Sequence, residues 1–183
     1  MKYNNFIEIK GLRVPDVTFC SKAVSDDETR PMMNHMYFMD SMLIATDGRR
    51  MHMISFSEGE AEFYGFKDNT YYRFLKATKK YCWLVEIDNT VDPVMVFPDI
   101  YRVLPKGDDF VSGKFINSTN RKYLYNEMRN LSELIPKDRS FDIDYLTGLP
   151  KGVEFKVKFF ENGVAVFEND PVKAVIMTSI VDD

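Results

Sequence analysis

Residues 35–56 read HMYFMDSMLIATDGRRMHMISF, and the reading of this stretch decides the fold. Apolar side chains dominate it, broken twice by short polar pairs, Asp40-Ser41 and Asp47-Gly48. Such pairs between β-prone runs are hairpin signals, so the stretch predicts three antiparallel strands, at about 35–39, 42–46 and 50–56. Upstream, residues 4–10 (NNFIEIK) alternate apolar and polar side chains and read as another strand. Between them, 14–23 reads as a short helix. Pro15 stands in its first turn beside Asp16, and Val17, Cys20 and Val24 recur on one face. The polar run 25–31 is a loop.

Downstream, the spacing of Tyr71, Phe74, Leu75, Thr78 and Tyr81 predicts a second helix, capped by Asp68 or Asn69. Strands are expected at 83–87 and 94–97 around a turn at 88–93, then a connector from Pro98 to Gly107. A third helix is expected from about Asn120 to Leu134, with Tyr123, Leu124, Met128, Leu131 and Leu134 inward and Pro136 stopping it. Strands near 141–146, 153–160, 163–168 and 172–180 complete the chain, with Glu161-Asn162-Gly163 as a hairpin turn. A helix followed by strands thus occurs about three times. That pattern predicts an α+β fold with short helices on one face of antiparallel sheets.

Composition narrows the function. The 183 residues carry 24 Lys and Arg against 28 Asp and Glu, a net charge of −4, so any nucleic-acid contact must use a local patch. No apolar stretch approaches the roughly 20 residues of a membrane helix, and no apolar segment follows the first lysine, so neither a membrane partner nor a secretory signal is expected. Two distant cysteines, Cys20 and Cys82, exclude a disulfide scaffold and a four-ligand zinc site, so no metal and no cofactor are expected. His35 and His52 sit inside apolar strand patterns, where structural histidines are the rule, and no nucleophile or phosphate-loop motif occurs. No catalytic residues are assigned, and a non-enzymatic cytoplasmic protein is expected.

Four stretches carry a resemblance. Residues 23–36 (AVSDDETRPMMNHM) are similar to a run D-E-T-R-P-x-L-x-G-V, and residues 43–51 (LIATDGRRM) to A-T-D-G-H-R-L. Residues 97–105 (FPDIYRVLP) are similar to F-P-D-Y-x-R-V-L-P, and Asn120 to Leu124 with Val175-Ile176-Met177 to a last helix and last strand. In this order they resemble the bacterial DNA sliding clamp, the beta subunit of DNA polymerase III. The resemblance implies a clamp fold of about three helix-plus-strands half-units, where a full subunit of that family has six. Residues 1–107 would correspond to the clamp's middle domain and 108–183 to a half-domain like its C-terminal part.

The resemblance also implies a site. In the family, the junction of the middle and last domains forms a cleft for short peptides of polymerases, loaders and repair proteins. Carried over, it would use Met33, Thr46, Gly48, Arg49, Arg50 and Met51, then Pro98, Arg102 and Val103, then Asn120, Tyr123, Val175, Ile176 and Met177. Methionines suit surfaces that accept varied side chains, although most methionines between Met32 and Met53 read as core. Arg49 stands where the family has histidine, and Thr178 where it has proline.

Clamp helices face the phosphates of duplex DNA. Here Arg73, Lys76, Lys79 and Lys80 are expected on one side of the second helix, with Lys67 extending the patch, and Arg121 and Lys122 add two more cations on the third. Such contacts are non-specific and salt-sensitive. The expected function is therefore a processivity-factor-like replication accessory, retained on DNA by several copies of the chain. The alternative is a clamp-fold adaptor or competitor that binds replication-protein peptides without encircling DNA.

Overall fold

The computed structural model describes residues 3–88 and 96–181. The chain divides into two compact units, Met1–Pro98 and Asp99–Asp183. The first begins with strand β1 (Tyr3–Lys10) and helix α1 (Arg13–Ser21), followed by a 3-10 turn at Pro31–Met33. Then come β2 (Met36–Met39), β3 (Met42–Thr46), β4 (Arg50–Ser55), helix α2 (Glu58–Tyr64), β5 (Thr70–Ala77) and β6 (Tyr81–Ile87). These strands run in the order β1–β6–β5–β2–β3–β4, and every pairing is antiparallel. The meander at 35–56 forms where the hairpin signals put it. Asp40 and Ser41 both adopt positive φ (50° and 58°), the twist that a two-residue hairpin needs.

Alternation along the strands builds the core. Ile7 and Ile9 of β1, Leu43 and Ala45 of β3, Tyr72 of β5, and Cys82 and Leu84 of β6 meet Val14, Val17 and Cys20 of α1 and Ala61 of α2. Phe66 stacks on Phe38 at 4.7 Å. Each large side chain buried in this way contributes about 1.5–3 kcal/mol.

The second helix is not at 69–81. That segment is β5, the turn into β6 and the first residue of β6, while the helix lies earlier, at α2. Ser57 accepts from the Glu60 amide while the Glu60 carboxylate accepts from the Ser57 amide, a capping box, and Gly65 closes the helix at φ 79°. The every-third-residue spacing in 71–81 comes from a β-bulge. Phe74 pairs with Leu84 and Lys76 with Trp83, so the extra residue Leu75 shifts the phase of the alternation.

The second unit holds helix α3 (Ile100–Val103) within the expected connector, then β7 (Phe110–Ile116), which the sequence reading did not identify, and helix α4 (Arg121–Ser132). Strand β8 (Arg139–Ser140), helix α5 (Ile143–Gly148), β9 (Glu154–Phe160), β10 (Val164–Asn169), β11 (Val172–Met177) and β12 (Ser179–Ile180) follow. The sheet order is β7–β9–β10–β11, antiparallel, with β8 and β12 as a separate pair.

Three further expectations are corrected here. Segment 141–146 is not a strand: Asp142 accepts from the Asp144 amide at 2.8 Å and starts α5. The strand expected at 172–180 breaks at Thr178, whose amide and hydroxyl both donate to the Gly163 carbonyl, at 2.9 and 2.8 Å. Of the strand expected at 94–97, residues 94–95 lie outside the described residues and 96–97 are not in a strand. Helix α4 rests on β7 lightly. Leu131 is buried, Leu134 fills the space over Gly113, and Glu127 accepts from the Ile116 amide at 3.1 Å.

Candidate functional site

The Asp47–Gly48 turn is a self-satisfied knot. The Asp47 carboxylate accepts from the Arg49 and Arg50 amides, both at 2.9 Å, and pairs with the Arg50 guanidinium at 2.9 Å. Thr46 Oγ1 donates to the Arg50 carbonyl at 2.8 Å and accepts from the Gly48 amide at 3.1 Å. Arg50 also donates to the Lys22 carbonyl at 2.6 Å, which ties the turn to the end of α1. Gly48 adopts φ 88°, and the space a side chain there would enter is bounded by Arg30 Nη1 and Met33 Sδ. Met33, Thr46, Gly48 and Arg50 are thus brought together, and Arg49 projects to solvent. Met51 is instead core, 3% exposed. Pro98 follows Phe97, which stacks on Tyr37 at 4.8 Å.

In the second unit, Asp99 caps α3 by accepting from the Tyr101 amide at 3.1 Å and pairs with Arg102 at 3.1 Å. Arg102 and Val103 are exposed. Asn120 caps α4 by accepting from the Lys122 amide at 3.0 Å. Tyr123 was expected to point inward, yet it is 65% exposed, because α4 buries Leu131 instead, and Leu134 packs just beyond the helix end. Met177, at the end of β11, is 45% exposed. Val175 and Ile176 are fully buried in the sheet, so neither offers surface to a ligand.

The cations expected on a helix lie on the β5–β6 hairpin. Tyr72 and Phe74 pack with Cys82 and Leu84 on the side of α1 and α2. Alternation therefore puts Arg73 and Lys76 on the opposite face, paired with Val85 and Trp83. Lys79 and Lys80 are exposed at the hairpin turn. Lys67 does not join them: its ammonium sits 2.8 Å from Glu86, which also accepts from Asn5. Burial pushes the Glu86 carboxyl up, and the contacts to Lys67 and Asn5 outweigh it and hold it below the usual range. Arg121 and Lys122 are exposed on the first turn of α4.

Sequence reasoning missed two features. A hollow of about 480 Å³ in the second unit is lined by Phe110, Val111, Leu134, Ile135, Pro136 and Phe159, with Asp109 and Glu161 beside them. Its signal was hidden because β7 was not recognised. The other is an aromatic row on the outer face of β6. Tyr81 and Trp83 lie 6.0 Å apart, Lys76 sits 5.0 Å over the Trp83 ring, and Lys10 sits 5.9 Å over Tyr81. Both thiols are buried, and burial pushes Cys82 up to about 12 and Cys20 higher still, so neither is a nucleophile. Among the described residues no cluster of His, Cys, Asp and Glu could hold a metal, and no helix is long and apolar enough to cross a membrane.

No protein-family model matches the chain, and no curated protein is similar to it. Solved structures do match. The chain is similar to DNA polymerase III subunit beta from Borrelia burgdorferi, solved with a natural product, at 14% identity and TM-score 0.57 over 99% of this chain and 64% of that one. It is similar to a sliding clamp from Bartonella birtlesii bound to griselimycin, at 15% identity and TM-score 0.57 over 99% and 67%. The beta sliding clamp of C. crescentus gives 15% identity and TM-score 0.57 over 98% and 66%. The chain spans about two thirds of the length of these proteins. At such identities the likeness is one of fold: an α+β arrangement of the sliding-clamp kind.

Proposed function

We propose that this clamp-fold chain is a non-enzymatic accessory of DNA replication in the cytoplasm. It takes short clamp-binding peptides of polymerase, loader or repair proteins, and contacts duplex DNA through phosphates alone. The carrying observation is that the clamp fold runs over 99% of the chain while Tyr123 and Met177 stay exposed instead of joining the core. Tyr123 supplies a large amphipathic ring and Met177 an adaptable thioether, and the knotted Asp47–Gly48 turn presents Met33 and Arg49 at low entropic cost. Buried Met51 supports the turn within the first unit, and buried Val175 and Ile176 support Met177 within the second. Calorimetry with a clamp-binding peptide tests the reading. Tyr123→Ala or Met177→Ala should each weaken binding by about 1–3 kcal/mol. Absence of binding to the wild-type chain refutes it.

A second reading has its own observation. Helix α2 carries Glu58, Glu60 and Glu62 and no base, while the hairpin cations lie on the face away from α1. A helical face of that sign repels phosphates and favours an adaptor that binds peptides without encircling DNA. Light scattering separates the two: a closed assembly of several copies supports the processivity role, and a monomer supports the adaptor.

A further inference from the structure

We infer that the outer face of the β1–β6–β5 sheet is a binding platform for single-stranded DNA. Three cross-strand rows make it: Phe6 and Arg73 on either side of Val85, which is itself buried; Glu8, Trp83 and Lys76; Lys10 and Tyr81. Because Ile7, Ile9, Cys82 and Leu84 fill the helix-side core, Phe6, Tyr81 and Trp83 stand together on the other face. Phe6 is 72% exposed and Tyr81 38%. Trp83 is anchored by its indole N–H, which donates to Glu8 at 3.0 Å, and Glu8 is in turn paired with Lys10 at 2.9 Å. The ring orientation is therefore preset before any ligand arrives.

Charge selects the occupant. The rows hold Lys10, Arg73 and Lys76 against the single carboxylate of Glu8, and Lys79 and Lys80 add two cations at the hairpin turn. Aromatic rings flanked by cations on a sheet face match a strand whose bases are free to stack and whose phosphates run alongside. Duplex DNA hides its bases and would leave the rings without a role. Lysine ammoniums over partly exposed rings are weak, exchangeable contacts, so an incoming base can displace Lys76 and Lys10 onto the phosphates. This surface uses none of the residues proposed for peptide binding, and the inference stands whether or not peptides bind.

Trp83 is the one tryptophan of the chain, so its fluorescence reports on this face alone. Titration of the full chain with a 20-nucleotide oligothymidylate should quench it, and three phosphate contacts would weaken binding about 20-fold between 50 and 200 mM salt. Anisotropy of the same labelled oligonucleotide should show at least a tenfold loss of affinity for Trp83→Ala and for Tyr81→Ala, and near wild-type binding for Trp83→Phe. Should the alanine variants unfold, Lys76→Gln with Lys79→Gln and Lys80→Gln, all at exposed positions, should give the same loss. Unchanged Trp83 fluorescence in the wild-type chain overturns the inference. So does equal quenching by a duplex of the same length or by polyglutamate, or tighter binding of oligouridylate than of oligothymidylate.

Discussion

His52 shows how one side chain couples the fold to pH. It is fully buried, stacked on Phe19 at 4.0 Å, with Nδ1 2.9 Å from the Phe19 carbonyl. A carbonyl only accepts, so Nδ1 carries the proton, and among the described residues Nε2 has no protein partner. Burial, with smaller contributions from Arg50 and Lys22, pulls the ring down to about 3 from its usual 6.5. Below pH 6.5 the unfolded chain therefore takes up a proton that the folded chain refuses until pH nears 3. The full contribution to stability is present above 6.5 and is lost as pH falls through that window. Denaturant titrations at pH 7 and pH 5 should show a loss of about 2 kcal/mol from this group, and His52→Gln should remove that difference. Asn117 is the counterpart in the second unit. At 1% exposure its side-chain amide donates to the Thr147 and Leu149 carbonyls, holding the end of α5. Asn117→Ala strands both carbonyls, and thermal unfolding should report a cost of about 1–3 kcal/mol.

Among the elements, α2 and β5 exchange what the sequence pattern promised. Seven residues are too few for a helix to persist without help, and the help is the Ser57–Glu60 box, reinforced by Arg13, which pairs with Glu60 at 2.7 Å. These contacts hold the Glu60 carboxyl down to about 2, with the Arg13 hydrogen bond the largest cause. Ser57→Ala should cost about 1 kcal/mol, read as a lowered denaturation midpoint with an unchanged slope. The sequence reading passed over the Ser57-x-x-Glu60 box, although its signal is local. The strand identity of 70–77 was not, because Thr70, Tyr71, Tyr72 and Phe74 suit a sheet while the bulge at Leu75 imitates a helical period. Only the neighbours β2 and β6 resolve that choice.

For the whole molecule, net charge conceals its layout. The −4 of the chain includes an acidic α2 and a cationic β5–β6 hairpin on opposite sides of one sheet. At physiological ionic strength charges more than about 8 Å apart are largely screened, so each face acts on its own surroundings. Duplex DNA should bind weakly, at roughly 10⁻⁴ to 10⁻⁶ M, with strong salt dependence. Changing Arg73, Lys76, Lys79 and Lys80 to Glu should abolish that binding in an anisotropy measurement. Equal binding by the quadruple variant would leave the adaptor reading in possession.

What the sequence determined by itself was whatever local physics controls. The meander of β2, β3 and β4 follows from Asp40-Ser41 and Asp47-Gly48, α1 from its Pro15 start and apolar stripe, and α4 from the Asn120 cap, because turns and caps are satisfied within a few residues. The ordered set of Thr46, Gly48 and Arg50 belonged to that class, since its hydrogen bonds close inside one turn. Tertiary structure decided the rest. Whether Tyr71 and Phe74 lie on a helix or a strand, whether Lys67 faces solvent or Glu86, and whether Val175 and Ile176 line a surface or a core depends on partners 19 to 81 residues away or on the opposite face of a sheet. Period and propensity describe a segment's own preferences. Burial is a property of what packs against it, and no window of sequence contains that.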